Sequence, residues 1–300
     1  MQNQEKTGKP LWTILKTLIW TTSFFKSHHI ETPRVDAEIL LAHILQTERI
    51  DLYVRYDQPL CKEELGAFKS LILRRARREP VAYIVGKKGF WSLDLSVSDA
   101  VLIPRPETEC LVEAAISILD EDRNTAPKRL LELGTGSGAI ILSLASEQPD
   151  HLFFASDRSS EAAHLAQKNA ADHGLGTSVR FFSGDWFAPL RKASAAFDMI
   201  LSNPPYIRSA DIPQLQPEIC GYEPALALDG GKDGLVSVRH IIRKVHAHLT
   251  PGGYLLLEIG HDQKNGVLKI IDDCAYYEPP VFMKDYSGHD RVVQIRKKLL

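Results

Sequence analysis

Phe197-Asp198-Met199-Ile200-Leu201-Ser202-Asn203-Pro204-Pro205-Tyr206 is an apolar run of strand length that stops on an asparagine, two prolines and a tyrosine. Both prolines lack an N–H and hold φ at about −65°. The first also keeps Asn203 out of the helical region. The stretch predicts a stiff, extended loop at the C-terminal end of a buried strand. Unpaired carbonyls, one amide side chain and one aromatic face would stand together there. Such a loop suits a flat, hydrogen-bond-donating ligand. Alone it is equally a rigid turn after a strand, because short motifs recur by chance. Its neighbours decide.

On both sides of it, strands and helices alternate. Strands are expected at 129–133, 152–156, 179–182, 198–202 and 254–259. Helices are expected at 138–147, 160–173, 234–249 and 262–274. Residues 280–284 and 291–296 read as a final antiparallel pair. This alternation predicts an α/β fold with a mostly parallel, doubly wound sheet covered by helices. Ligands in such sheets bind at the carboxyl ends of the strands, which is where Asn203 falls.

Upstream the pattern changes. Residues 1–10 are polar and read as disordered, and from 11 to about 80 the periodicity is helical. Leu11, Ile14, Leu15, Leu18 and Ile19 mark one amphipathic helix. It carries Lys16 and is too short to span a bilayer. Thr32-Pro33 reads as an N-cap followed by proline at the first helical position. A further helix runs from about Lys62 to Arg78. Its arginines 74, 75, 77 and 78 suit the negative end of the helix dipole and read as a solvated helix end, the alternative being a docking patch for an acidic or RNA-rich partner. Val81–Gly86 and Phe90–Val97 read as two strands around a Lys87-Lys88-Gly89 turn. The expected organisation is a helical domain over 1–80, a β-hairpin linker over 81–103 and an α/β domain over 104–300.

Composition narrows the class. The 300 residues are 44% hydrophobic and 25% charged, with formal net charge −2, typical of a soluble globular chain. No global field would draw it to nucleic acid or an anionic membrane. Cys61, Cys110, Cys220 and Cys274 are far apart and form no C-x-x-C pair, so neither a zinc site nor a disulfide framework is indicated. They fit buried thiols in a reducing compartment. His246 and His248 have no third ligand in suitable spacing and read as a solvated helix end. No metal is expected, and the absence of a targeting signal points to the cytoplasm.

The ligand-facing residues come from successive strand ends. After the first strand stands Gly134-Thr135-Gly136-Ser137-Gly138-Ala139, where glycines let backbone approach a ligand and aim amides at it from a helix N-terminus. The string fits nicotinamide enzymes and S-adenosylmethionine enzymes alike. Asp157 ends the second strand, where an acid can bond ribose hydroxyls of either cofactor. Asp185 and Trp186 follow the third strand. The acid can accept from an adenine amino group, and the indole can stack on the ring. The fourth strand delivers Asn203, Pro204, Pro205 and Tyr206, for which a dehydrogenase has no use. A methyltransferase acting on a planar nitrogen does. Such a nitrogen is weakly nucleophilic because its lone pair is delocalised. The Asn203 side-chain oxygen and the Pro204 carbonyl could each accept one N–H, while Tyr206 packs against the flat face. Catalysis would then be orientation and stabilisation of the positive charge growing on nitrogen.

Taken together, the chain resembles the PrmC/HemK family, the protein-(glutamine-N5) methyltransferases of peptide chain release factors. The resemblance covers nearly the whole length. It rests on Arg78–Ile84, Leu102–Glu109, Leu133–Ala139, Gly184–Phe187, Asn203–Ile207 and Tyr222–Gly231. Ile103–Glu109 together with Asn203–Ile207 is specific, whereas the glycine string is not. The resemblance implies a class I methyltransferase domain of Rossmann-like type, with an antiparallel last strand. It also implies S-adenosylmethionine on Gly134–Gly138, Asp157, Trp186 and Asn203. Asn203–Tyr206 would hold the glutamine of the Gly-Gly-Gln tripeptide of class I release factors, with Pro104, Arg105 and Pro106 as further substrate-binding residues. The helical domain would help to dock the factor. One departure is Cys220-Gly221 before Tyr222-Glu223-Pro224, where family members often carry an arginine.

The main competing reading is an adenine or cytosine amino-methyltransferase on DNA or RNA, which uses a similar loop on a base amine. It usually carries a basic recognition surface. The near-neutral charge argues against it, and the arginines at 74–78 argue for it. A non-catalytic binding module would leave a full set of site residues unused. A nicotinamide dehydrogenase would leave Trp186 and Asn203–Tyr206 unused.

Overall fold

The computed structural model describes residues 11–121, 126–190 and 196–299. Residues 1–10, read above as disordered, lie outside the described residues. The chain forms two compact units, Met1–Gly86 with Pro217–Tyr222, and Lys87–Gln216 with Glu223–Leu300.

The first unit is helical. Its elements are α1 (Ile14–Ser27), α2 (Pro33–Leu45), α3 (Asp51–Val54), α4 (Lys62–Ala76) and α5 (Val81–Val85). Thr13 caps α1 by accepting from the Lys16 N–H. The buried face of α1 is Ile14, Thr17, Leu18, Thr21 and Phe25. Leu15 and Ile19, expected on the apolar face, are exposed, as is Leu11, which precedes the helix; Trp20 lies outside too, stacked on Phe24. Thr32 and Pro33 open α2 as expected. Cys61 caps α4 through its sulfur, and Glu64 returns the favour to the Cys61 N–H at 2.7 Å. This explains why one cysteine is exposed. Cys220 is exposed as well, so the expectation of buried thiols holds only for Cys110 and partly for Cys274.

Of the arginines at the end of α4, expected to be solvated, only Arg77 is exposed. Arg75 is buried and bonds Asp36 on α2 at 2.6 Å and Glu218 at 2.8 Å. Arg78 bonds the same Glu218 at 2.7 Å, and Arg74 pairs with Glu79. Burial raises the Glu218 carboxyl, but the Arg78 and Arg75 hydrogen bonds outweigh it and hold the group below its ordinary value. Two acids reaching Arg75 from elsewhere in the chain convert a surface pattern into an internal network. Beside it, the Tyr222 hydroxyl donates to the Arg77 carbonyl at 2.8 Å.

The segment 81–86, expected as a strand, is the helix α5. Pro80 stands at its N-cap, and Gly86 ends it in the left-handed region at φ 74°. The expected Lys87-Lys88-Gly89 turn is itself strand β1 (Lys87–Phe90), antiparallel to β2 (Leu93–Ser96). The hairpin turns at Trp91-Ser92, with Trp91 at φ 55°. The strain is offset by two anchors: the Trp91 N–H donates to Glu109 at 2.9 Å and the indole N–H to Glu147 at 2.7 Å. Phe90, Leu93 and Leu95 are buried in the core of the second unit.

That unit continues with a 3-10 turn over Pro106–Thr108 and α6 (Glu109–Glu121). Then come β3 (Arg129–Leu133), α7 (Ala139–Glu147), β4 (Leu152–Asp157), α8 (Ser160–Asp172), β5 (Val179–Ser183) and β6 (Phe197–Ser202). After the excursion of α9 (Pro217–Tyr222) follow α10 (Ala225–Leu228), α11 (Val236–Val245), β7 (Leu249–Glu258), α12 (Lys264–Asp272), β8 (Val281–Lys284) and β9 (Asp290–Arg296). The expected helix to Leu249 stops at Val245, and β7 begins at Leu249. His246 and His248 between them are not solvated: His248 stacks on Phe187 at 4.8 Å and His246 on Tyr276 at 3.8 Å.

The strands form one seven-stranded sheet in the order β5-β4-β3-β6-β7-β9-β8. It is parallel from β5 to β7, and β9 runs antiparallel to both its neighbours. Side chains alternate between two cores, as a period of two demands. Leu130, Leu201 and Leu256 face Leu111 of α6 and Ile141 of α7. Leu131, Ile200 and Leu255 face Val238 and Ile242 of α11 and Ile271 of α12. This is the class of fold expected.

Replacing Arg75 with alanine would leave Asp36 buried without its charge partner. The helical unit is expected to lose about 3–5 kcal/mol. Urea unfolding of the full chain followed by circular dichroism would show this as a lower midpoint; an unchanged midpoint would make the network ornamental.

Candidate active site

β3 and β6 lie side by side in parallel, with Leu133 opposite Ser202. The Ser202 hydroxyl donates to the Leu133 carbonyl at 2.7 Å. From β3 the chain runs outward to β4 and β5 and returns to β6, so the strand order reverses between these two. A crevice at such a point binds ligands in open α/β sheets. Here it is a cavity of about 550 Å³ in the second unit.

The turn after β3 is pinned from below, its Gly134 and Thr135 N–H groups donating to the Ser156 carbonyl at 2.8 and 3.0 Å. Gly134 and Gly136 are left-handed, at φ 73° and 55°, and a Cβ on either would meet nothing within 4 Å. They serve conformation and leave open space for a ligand. Gly138 differs. A Cβ there would stand 3.0 Å from Leu142 and 3.3 Å from Ala166, so this glycine lets helices approach.

Three acids follow. Glu132, within β3, is buried and accepts from the Thr135 hydroxyl at 2.6 Å and the Ile141 N–H at 3.2 Å. Burial pushes its pKa up to about 8 despite these bonds. Asp157, ending β4, accepts from the Gly136 N–H at 2.9 Å and the Ser159 N–H at 2.8 Å, and burial raises it too. Asp185 lines the cavity beside Trp186, whose backbone sits at φ 50°. A left-handed tryptophan is strained by roughly 1–3 kcal/mol. Preceding it, Gly184 has no room for a side chain: a Cβ would lie 1.8 Å from Pro189. His240 of α11 completes this side, 6.3 Å from the Trp186 ring.

Asn203 leaves β6 at the cavity wall, its amide nitrogen donating to the Thr108 hydroxyl oxygen at 3.2 Å. Thr108 in turn donates to Glu258 at 2.6 Å, and the Tyr206 hydroxyl donates to the other Glu258 oxygen at 3.1 Å. Burial, then the Glu258 charge, hold the Tyr206 phenol well above its ordinary pKa. The buried side chain of Gln263 donates to the Tyr206 and Gly234 carbonyls at 2.8 and 3.1 Å. The proline loop before α6 is held likewise: Glu223 accepts from Arg105 at 2.5 Å and from the Ile103 N–H at 3.4 Å.

Of the residues expected in the site, Pro104, Arg105, Gly134, Thr135, Gly136, Ser137, Asp157, Asp185, Trp186, Asn203 and Pro205 line this one cavity. Pro106, Gly138, Pro204 and Tyr206 do not. Sequence reasoning missed Glu132, Thr108, His240, Glu258 and Gln263. It also missed Asn169 on α8, which bonds Ser137 in the glycine turn and Ser96 in the hairpin. Glu132 and Glu258 did carry a signal. Each is a lone acid in an otherwise apolar strand, and such a group is buried only where donors await it. Among the described residues, no cluster of three or more His, Cys, Asp or Glu is placed to hold a metal, and no helix is long and apolar enough to cross a membrane.

Comparison with known proteins follows the same division of the chain. Residues 16–86 match the model of the PrmC N-terminal domain, and residues 112–219 that of the methyltransferase small domain. A release factor glutamine methyltransferase of Geobacter sulfurreducens is 42% identical over 96% of this chain and 98% of its own. One from Escherichia coli is 42% identical over 87% and 91%. Among solved structures, a methyltransferase from Pyrococcus furiosus superposes with a TM-score of 0.51 at 21% identity, covering 76% of this chain and 99% of that one. This last likeness speaks to the fold.

Glu132 titrates near 8 in the folded chain, against an ordinary 4.5. The folded state therefore holds an extra proton between these values, and stability falls as pH rises through that window. Glu132→Gln keeps an oxygen for Thr135 and Ile141 and removes the ionisation. Its melting temperature is expected to gain on the parent by roughly 3 °C or more between pH 5 and 8. A difference that stays flat with pH in thermal melts would refute the assignment.

Proposed function

The chain belongs to the release factor glutamine methyltransferase family, and from that premise we propose that it methylates the side-chain amide nitrogen of the Gly-Gly-Gln glutamine in class I peptide chain release factors, using S-adenosylmethionine. The cavity volume falls in the range of small-molecule sites, and its donors and acceptors fit this cofactor. The glycine turn offers backbone at close range. Each Asp157 oxygen keeps a lone pair for a ribose hydroxyl. Asp185 can accept from an adenine amino group and Trp186 can flank the ring. When bound, the cofactor supplies an electrophilic methyl on sulfonium.

The observation that carries the reading is Asn203 standing at the wall of this same cavity, its nitrogen committed to Thr108. Its oxygen can accept one glutamine N–H and the Pro204 carbonyl the other. Two such bonds fix the amide plane and raise electron density on nitrogen. Most of the rate then comes from orientation and from electrostatics that favour positive charge on the attacking nitrogen. Tyr206, tied to Glu258 and Gln263, keeps the loop rigid from behind. Pro104 and Arg105, locked by Glu223, form the opposite lip. The cytoplasm is the compartment that suits this substrate, and stable nucleic-acid binding has no support here. Arg74, Arg75 and Arg78, which would have favoured it, are held in ion pairs.

Incubation with cofactor and a class I release factor, beside duplex and single-stranded nucleic acid, is expected to place one methyl on the tripeptide glutamine by mass spectrometry. Methylated adenine with an untouched factor would sink the reading. Asn203→Ala is expected to lose about a hundredfold or more in turnover while still binding the cofactor in calorimetry; wild-type turnover would remove Asn203 from the chemistry.

A further inference from the structure

An asparagine amide has two faces of opposite polarity, and only one of them can accept a proton donor. Which face looks into the cavity is set by what stands behind it. Behind Asn203 stands Thr108, buried, with a single hydroxyl proton. That proton goes to Glu258 at 2.6 Å. The Thr108 oxygen is left as an acceptor, and it takes the Asn203 amide nitrogen at 3.2 Å.

Glu258 is secured in turn. It is 1% exposed and the last residue of β7. Tyr206 donates to its second oxygen. Burial raises the carboxyl above its ordinary value, opposed by the Thr108 bond, the charge of Arg291 and the Tyr206 bond. Arg291 is itself held by Asp285 at 3.1 Å and the Ile259 carbonyl at 3.2 Å. With a donor on each oxygen, Glu258 is the acceptor toward both Thr108 and Tyr206. Polarity therefore runs one way along the chain, from Asn203 through Thr108 to Glu258.

We propose that Thr108 and Glu258 are positioning residues that hold the Asn203 amide with its oxygen toward the cavity, and so restrict the acceptor to groups that donate N–H. The proposal rests on the amide-methylation reading and deepens it. A carboxamide meets the requirement; a glutamate carboxylate in its place offers no proton and meets an acceptor instead. Selection of glutamine over glutamate then depends on a proton two side chains away from the substrate. Neither Thr108 nor Glu258 needs to touch it.

Thr108→Val and Thr108→Ser separate this from simple packing. Valine keeps the volume and removes the hydroxyl; serine restores it. With release factor as substrate, Thr108→Val is expected to lose about tenfold or more in kcat. Cofactor Kd by calorimetry and KM for the factor should stay within about threefold of the parent. Thr108→Ser is expected to recover kcat to within about threefold. Valine at parental kcat, or serine no better than valine, would overturn the proposal. Should Thr108→Val lose cofactor binding, Glu258→Gln decides. Its amide can donate to Thr108 and so reverse the chain. A loss of about tenfold or more in kcat at unchanged cofactor Kd is expected, and parental kcat overturns the proposal. The parent protein is the control in the same assay. If the parent leaves the factor unmethylated, the amide-methylation reading itself has failed; if the parent and Thr108→Val methylate alike, only the relay has.

Discussion

Carboxylates taken out of water must be given donors, and the second unit uses that demand to gather its loops. Glu132, Asp157, Glu223 and Glu258 are buried or nearly so, and between them they are satisfied by three loops. Glu132 and Asp157 hold the glycine turn. Glu223 holds Ile103 and Arg105. Glu258 holds Thr108 and Tyr206. An unpaired charge at any of these positions would be strongly destabilising, so each loop is fixed about as firmly as the acid behind it. Loops alone would be the mobile part of such a fold. Here buried acids tie them to the core.

The sheet decides which loops are brought together. Parallel pairing of β3 with β6 places Gly134 and Asn203 on adjacent strand ends. Their neighbours β4 and β7 contribute Asp157 and Glu258. The glycine-turn side and the Asn203 side of the cavity are thus two halves of one sheet. Period-two alternation along the strands keeps apolar residues on both faces. The polar work is confined to the carboxyl ends, apart from Glu132, which enters the sheet itself.

Much of this was legible in the sequence because it repeats. Alternating strands and helices carry their periods over many residues, and the glycine turn, Asp157 and Asn203–Tyr206 sit where those periods break. What was illegible depends on partners distant in the chain. Val81–Val85 has the composition of a strand, and Pro80 with Gly86 makes it a helix. Trp91 occupies a backbone region that its residue type avoids, and it is kept there by Glu109 and Glu147. Arg75 reads as one of four surface cations until Asp36 and Glu218 arrive. Thr108 lies inside a segment singled out for its prolines, and nothing local says that its hydroxyl faces Glu258, 150 residues away.

The six residues Pro217–Tyr222 belong to the helical unit although the chain on both sides belongs to the other. The two units therefore cannot be parted by a single cut in the polypeptide. A fragment ending at Gly86 would carry Asp36 and Arg75 but not Glu218, and would expose the surface that those six residues cover. Inheritance is constrained in the same way. Exchange of the helical unit between relatives by one recombination event would strand its last piece in the recipient, so the two units are expected to have diversified together rather than as interchangeable modules.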